Sequence, residues 1–123
     1  VWILGSEKES VAGDEIAAAG MDCYNLCGKT SLVDVIDLIA ATEQVVTNDS
    51  GLMHIAAATG VMVNAIYGSS TPDYTPPLTD KAKVFYRALD CSPCFDRHCK
   101  FGHYQCLKEI KPDEVYNGIV SGP

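Results

Sequence analysis

Short apolar runs alternate along the chain with stretches whose apolar positions recur every three or four residues. That alternation predicts parallel strands flanked by helices. Val1-Trp2-Ile3-Leu4 reads as a strand ending at Gly5-Ser6. An alanine-rich helix follows over about Ser10 to Ala19, with Gly20 where a C-terminal glycine cap belongs. After a short run at Tyr24-Asn25-Leu26, the residues Leu32, Val35, Ile36, Ile39 and Ala40 form one helical stripe. Ser31, with Asp34 three residues on, gives that helix a capping-box start. Gln44 to Thr47 predicts the next strand, which stops at Asn48-Asp49. The helix from about Ser50 to Ala58 is apolar nearly all round, which predicts burial, and Thr59-Gly60 ends it. Val61 to Tyr67 is apolar except for Asn64, as expected of a strand covered on both faces. Pro72, Pro76 and Pro77 keep the chain irregular until an edge strand at Lys83 to Tyr86. Pro112 then opens a last helix through Val115, Ile119 and Val120.

The fold class implied is α/β, a parallel sheet flanked by helices. The 123 residues, 47% hydrophobic and 20% charged, suit one domain over 1–123 with a single core. Sixteen acidic residues against nine basic give a net charge of −7, which excludes the broad basic surface that duplex nucleic acid needs. A local anion site remains open, because a few backbone amides can bind an anion whatever the total charge. No apolar run approaches the roughly 18–20 residues of a membrane span, so a soluble domain is expected. Val1 already lies within an apolar run, and the chain is read as a piece of something longer.

In an open parallel sheet, ligands bind beyond the carboxyl ends of the strands. Three such ends carry small or polar residues: Gly5-Ser6, Asn48-Asp49-Ser50-Gly51 and Gly68-Ser69-Ser70. The topology predicts that they converge on one crevice. At the middle one, a strand runs directly into a helix whose first N–H groups have no intrahelical partner. Gly51 lets a phosphate approach the backbone, the Ser50 hydroxyl adds a donor, and the helix dipole favours negative charge. Asp49 would repel a phosphate and suits ligand hydroxyls instead. His54, four residues after Ser50, shares its face of the helix. Two plainer readings stand beside these: Asp49 or Ser50 is only an N-cap, and His54 is only a hydrogen-bonded core histidine. No dinucleotide fingerprint or Walker loop is present.

Thr47-Asn48-Asp49-Ser50-Gly51-Leu52-Met53-His54, with Ala65-Ile66-Tyr67-Gly68-Ser69-Ser70 and Pro72-Asp73-Tyr74-Thr75-Pro76-Pro77-Leu78, resembles the lipopolysaccharide heptosyltransferase family, and its type II branch most closely. The resemblance implies a Rossmann-like domain, incomplete at its N-terminus, that forms the C-terminal donor half of a two-domain GT-B glycosyltransferase. It further implies inverting, metal-independent transfer of heptose from ADP-heptose to the inner-core heptose of lipopolysaccharide. The acceptor would be held by an N-terminal domain, in peripheral contact with the cytoplasmic face of the inner membrane. Asp49 would bind heptose hydroxyls, Ser50 and Gly51 the diphosphate, with His54 close behind. Thr30 would lie beside adenine. An acidic residue after Gly5-Ser6 would hold the ribose, Glu9 first and Glu7 second. The family's general base and a phosphate-binding lysine would both lie upstream of Val1, so no catalytic residue is assigned within this chain. A related transferase using another nucleotide sugar is the alternative within the class.

Cys91, Cys94, Cys99 and Cys106, with His98 and His103 interleaved, crowd into a loop at 91–106. Four soft ligands at this density suit a structural zinc, with disulfides and free thiols the other states open. Similar loops occur in only some family members, which speaks against a catalytic metal. A non-catalytic module with this loop as a nucleic-acid-binding zinc knuckle is the reading from another class. Only Arg97 and Lys100 are fixed cations there, too few for appreciable counterion release. Cys23 and Cys27 read as ordinary buried small residues.

Overall fold

The structure, a computed structural model, describes residues 1–122, and the chain divides into two compact units, Val1–Leu38 and Ile39 onward. The first contains β1 (Trp2–Ile3), a 3-10 turn at Glu7–Glu9, α1 (Ser10–Ala19), β2 (Tyr24–Asn25) and the start of α2 (Leu32–Ala40). β1 and β2 pair in parallel, Trp2 opposite Tyr24. Asn25 fastens α1 to this pair: its Nδ2 donates to the Ser10 carbonyl at 2.9 Å and to Asp14 Oδ1 at 2.8 Å. Gly13 makes that contact possible, since a Cβ there would come within 2.4 Å of Asn25 Oδ1.

Two local expectations are corrected in this unit. Gly20 is extended (φ −134°, ψ 156°), and the left-handed residue beyond α1 is Asp22 (φ 55°), a type that tolerates that region through its short polar side chain. The stripe on α2 is narrower than its sequence suggests, because only Val35 and Ile39 are buried while Leu32, Ile36 and Ala40 are exposed. The capping box is present: Ser31 N–H donates to Asp34 Oδ2 at 2.8 Å, and Asp34 N–H to Ser31 Oγ at 3.1 Å. Hydrogen bonding of the carboxylate to Ser31, to its N–H first and its hydroxyl second, holds the Asp34 carboxyl below its ordinary pKa.

The second unit contains β3 (Gln44–Asn48), α3 (Gly51–Thr59), β4 (Met62–Tyr67), β5 (Ala82–Tyr86), α4 (Gln105–Lys108) and α5 (Pro112–Val120). Its strands form a parallel sheet in the order β3-β4-β5. β4 is central, and all its residues except Ile66 are buried, as its apolar run predicts. Asn48 pairs with Ile66 at the carboxyl ends of β3 and β4, so both strands release their loops at the same sheet edge. β5 is the edge strand expected from the prolines before it.

α3 is only half buried. Met53, Ala56 and Ala57 face inward, whereas Gly51, His54 and Ala58 are exposed, which corrects the expectation of an all-round buried helix. Alanine methyls remove so little apolar area from water that leaving one exposed costs little. Gly60 closes the helix in the left-handed conformation (φ 79°) expected of a glycine cap.

α5 packs Val115 with Phe85 and Ile110, flanked by Ile66 and Ile119. The Lys83 ammonium reaches the Gly118 and Gly122 carbonyls and the Ser121 hydroxyl, satisfying acceptors at the helix C-terminus. Arg87 pairs with Glu114 and, chiefly through that hydrogen bond, lowers the Glu114 pKa. Gly118 lies against the Phe85 ring, where a Cβ would come within 2.6 Å of Cζ. Gly118→Ala should gain up to ~1 kcal/mol of helix propensity and lose ~1–3 kcal/mol to overpacking. The net result expected in a denaturant titration is a loss of up to about 2 kcal/mol, against the usual sign of a helical Gly→Ala change.

Candidate functional site

Ser50 is the N-cap of α3, in extended conformation (φ −154°, ψ 172°). The position is the one the N-cap reading requires, yet the Ser50 hydroxyl makes no capping bond. Met53 N–H turns back to the Ser50 carbonyl at 3.1 Å. The N–H groups of Gly51 and Leu52 have no hydrogen-bond partner among the described residues. A Cβ built on exposed Gly51 would meet nothing within 4 Å, so the side of the first turn on which a side chain would stand is open. His54 is also exposed, one turn along on the same face, and the core-histidine reading is corrected. Asp49, Ser50, Gly51 and His54 are therefore brought together at one helix mouth. It combines unpaired amides, a free hydroxyl and the positive end of a helix dipole, which suits a phosphate group.

Asp49 has a partner that its sequence neighbourhood does not reveal. Thr75 Oγ1 donates to Asp49 Oδ2 at 2.9 Å, and the Thr75 carbonyl accepts from Tyr67 Oη at 2.6 Å. The end of β4 and the start of α3 thus hold the proline-rich loop through one residue. Burial, then the Asp49 carboxylate, push the Tyr67 hydroxyl pKa up to about 12, so it stays a neutral donor at any physiological pH. Asp49 Oδ1 has no protein partner among the hydrogen bonds of the described residues and remains an acceptor for ligand hydroxyls. Thr75 and Tyr67 lie in conspicuous motifs but carried no assigned role; only the fold, 26 residues from Asp49 to Thr75, joins them.

In the first unit, Gly5, Ser6 and Glu9 gather beyond β1. Ser6 N–H donates to Glu9 Oε2 at 2.5 Å, the Ser6 hydroxyl donates to the same oxygen, and Glu9 N–H returns to the Ser6 carbonyl at 3.0 Å. The Ser6 hydroxyl and then its N–H hold the Glu9 carboxyl below its ordinary pKa. Gly5 gives these groups room, since a Cβ there would lie 3.2 Å from both Cys27 Sγ and Glu9 Oε2. Glu7 backs onto Gly28, whose added Cβ would come within 2.9 Å of Glu7 Cα. Thr30 is half-buried in the bend before α2.

The six cysteines are free thiols; Cys27 is buried as expected, while Cys23 is half-exposed. Cys91, Cys94, Cys99 and Cys106, with His103, line one cavity of about 80 Å³. Backbone hydrogen bonding from the turn 101–104, Tyr104 foremost, lowers the Cys99 pKa, while burial above all raises that of Cys106. As the side chains stand, no group of three or more Cys, His, Asp or Glu among the described residues is drawn into a metal-holding arrangement.

Among the described residues no helix is long and apolar enough to cross a membrane. The family model for glycosyltransferase family 9 (heptosyltransferase) matches residues 1–105. The chain is 51% identical over 120 residues to lipooligosaccharide heptosyltransferase 2 of Haemophilus influenzae, covering 92% of this chain and 34% of that protein. It is 42% identical over 126 residues to lipopolysaccharide heptosyltransferase 2 of Salmonella typhimurium, covering 98% of this chain and 36% of that protein. The solved structure of ADP-heptose LPS heptosyltransferase II from E. coli superposes with a TM-score of 0.83 at 40% identity, over 98% of this chain and 35% of the other. The α/β architecture is shared with that structure, and the chain spans roughly a third of the length of the relatives it matches.

Proposed function

Because the chain belongs to glycosyltransferase family 9, the heptosyltransferases, we propose that it is the donor-binding domain of an inverting GT-B enzyme moving heptose from ADP-heptose to the inner-core heptose of lipopolysaccharide. The observation that carries this reading is the open mouth of α3. The Gly51 and Leu52 amides and the Ser50 hydroxyl are without protein partners among the described residues, beside an unobstructed Gly51, at the sheet edge where α/β proteins bind ligands. A diphosphate held there would place its leaving oxygen against donors whose attraction grows as the sugar–oxygen bond breaks and negative charge develops. His54 adds a donor one turn along, and the unpaired oxygen of Asp49 accepts from heptose hydroxyls.

Glu9, with Gly5 and Ser6, is assigned to the ribose and Thr30 to the adenine edge. These two roles rest on the family resemblance, and Glu9 has one carboxylate oxygen left over after its bonds to Ser6. The transfer needs no cofactor. The general base and the acceptor site belong to a domain outside this chain, which works against the cytoplasmic face of the inner membrane. The isolated 123-residue chain is therefore expected to show no heptosyl transfer.

Titration of the full-length enzyme with ADP-heptose, a UDP-sugar and a GDP-sugar tests the reading. ADP-heptose should bind tightest and be displaced by ADP. Preferential binding of either other sugar nucleotide would move the protein to a related transferase, and binding of none would remove the donor-site assignment.

A further inference from the structure

The cysteine loop lies outside the donor reading, and its four thiols need an account of their own. Cys91, Cys94, Cys99 and Cys106 come from separate points of an irregular segment yet line the same small cavity, with Cys106 carried by α4. The segment has little core of its own: Phe95, Phe101 and Leu107 are 57%, 60% and 46% exposed. Apolar burial is not what gathers the sulfurs.

The turn after Cys99 is tight: Gly102, left-handed at φ 73°, returns its N–H to the Cys99 carbonyl at 3.0 Å, so that Cys99 and Cys106 come to line the same cavity. The thiolate is the form that ligates metal, and four cysteines at one cavity supply a full tetrahedral set.

We propose that Cys91, Cys94, Cys99 and Cys106 hold one structural zinc ion as four thiolates. A closed set of four sulfurs leaves no open position for substrate, and tetrahedral thiolate coordination selects zinc among the common divalent ions. Binding releases the thiol protons to solvent and draws the sulfurs, which only line the cavity in the protein as it stands, onto the ion by side-chain rotation. His103, with Nδ1 3.9 Å from Cys99 Sγ, sits beside the set without belonging to it.

The site also has a mechanical consequence. Phe95 N–H donates to the Ser69 carbonyl at 2.9 Å, and Leu107 covers Gly68, so the loop is fastened to the carboxyl end of β4. Phe95 further meets Tyr74 edge-on, with ring centroids 5.8 Å apart, in the loop whose Thr75 binds Asp49. Metal loss is expected to loosen this wall of the helix mouth.

Elemental analysis of the intact chain purified without chelator should give one zinc per chain. Cobalt(II) added to the zinc-stripped, reduced chain should give the ligand-field and sulfur-to-metal bands of tetrahedral thiolate coordination. Cys94→Ser and Cys106→Ser should each lose the zinc, while Cys23→Ser and His103→Ala keep it. The cobalt titration needs no variant, so poor folding of a serine variant leaves the test intact. Iron in place of zinc, disulfides mapped among these cysteines, or a metal-free chain with four freely alkylated thiols and no cobalt spectrum would each overturn the proposal.

Discussion

Gly51→Ala is expected to lower donor affinity about 10- to 100-fold, roughly 1.4–2.7 kcal/mol, in the full-length enzyme while leaving the fold intact or slightly more stable. The two effects have opposite signs for one physical reason. Gly51 is exposed, its φ lies outside the left-handed region, and an added Cβ meets no atom within 4 Å, so the protein itself does not require glycine there. In the first turn of a helix such a substitution reduces the conformational entropy of the unfolded chain, worth about 0.4–1 kcal/mol in favour of folding. The same methyl group would stand where a phosphate must approach the Gly51 and Leu52 amides, forcing it outward and weakening those charge-assisted bonds. Calorimetric titration with ADP-heptose, alongside thermal melts without ligand, reads both quantities. Unchanged affinity in Gly51→Ala would mean that no anion sits at this helix mouth.

What could be read directly from the sequence was local. The Ser31–Asp34 capping box, the buried run of β4, Pro112 at the start of α5 and the Gly60 cap each depend on residues within one or two turns of one another. The same rule, applied to Ser6-x-x-Glu9, would have anticipated the carboxylate's bond to the Ser6 N–H, which now limits what Glu9 can offer a ribose. Side-chain geometry was not legible. Ser50 is a favoured N-cap type, but whether its hydroxyl turns inward to cap or stays free is set by its torsions rather than its identity. α3 misled for a different reason: alanine counts as apolar in a pattern and yet carries little obligation to be buried, so His54 and Ala58 face outward. The bond joining Thr75 to Asp49 had no signal at all, because nothing local relates a threonine between prolines to a carboxylate 26 residues earlier.

That bond separates two roles for Asp49, and the second large effect follows from it. Asp49→Ala should reduce kcat/KM of the full-length enzyme by about 100-fold or more, whereas Thr75→Val should reduce it by less than about tenfold. Alanine at 49 removes both the tie to Thr75 and the acceptor proposed for the sugar, leaving bound hydroxyls without the ionised partner that hydrogen bonds to charged groups make worth about 1.5–3 kcal/mol. Valine at 75 removes only the tie. The loop keeps its second anchor, the bond from the Tyr67 hydroxyl to the Thr75 carbonyl at 2.6 Å, which needs no side chain at 75. The two variants should also lose comparable, small amounts of stability, since each breaks the same half-buried hydrogen bond. The contrast therefore lies in catalysis and not in folding. If both variants lost activity equally, Asp49 would be a loop fastener and the sugar would be bound elsewhere; if Asp49→Ala alone were crippled, its free oxygen would be facing the substrate.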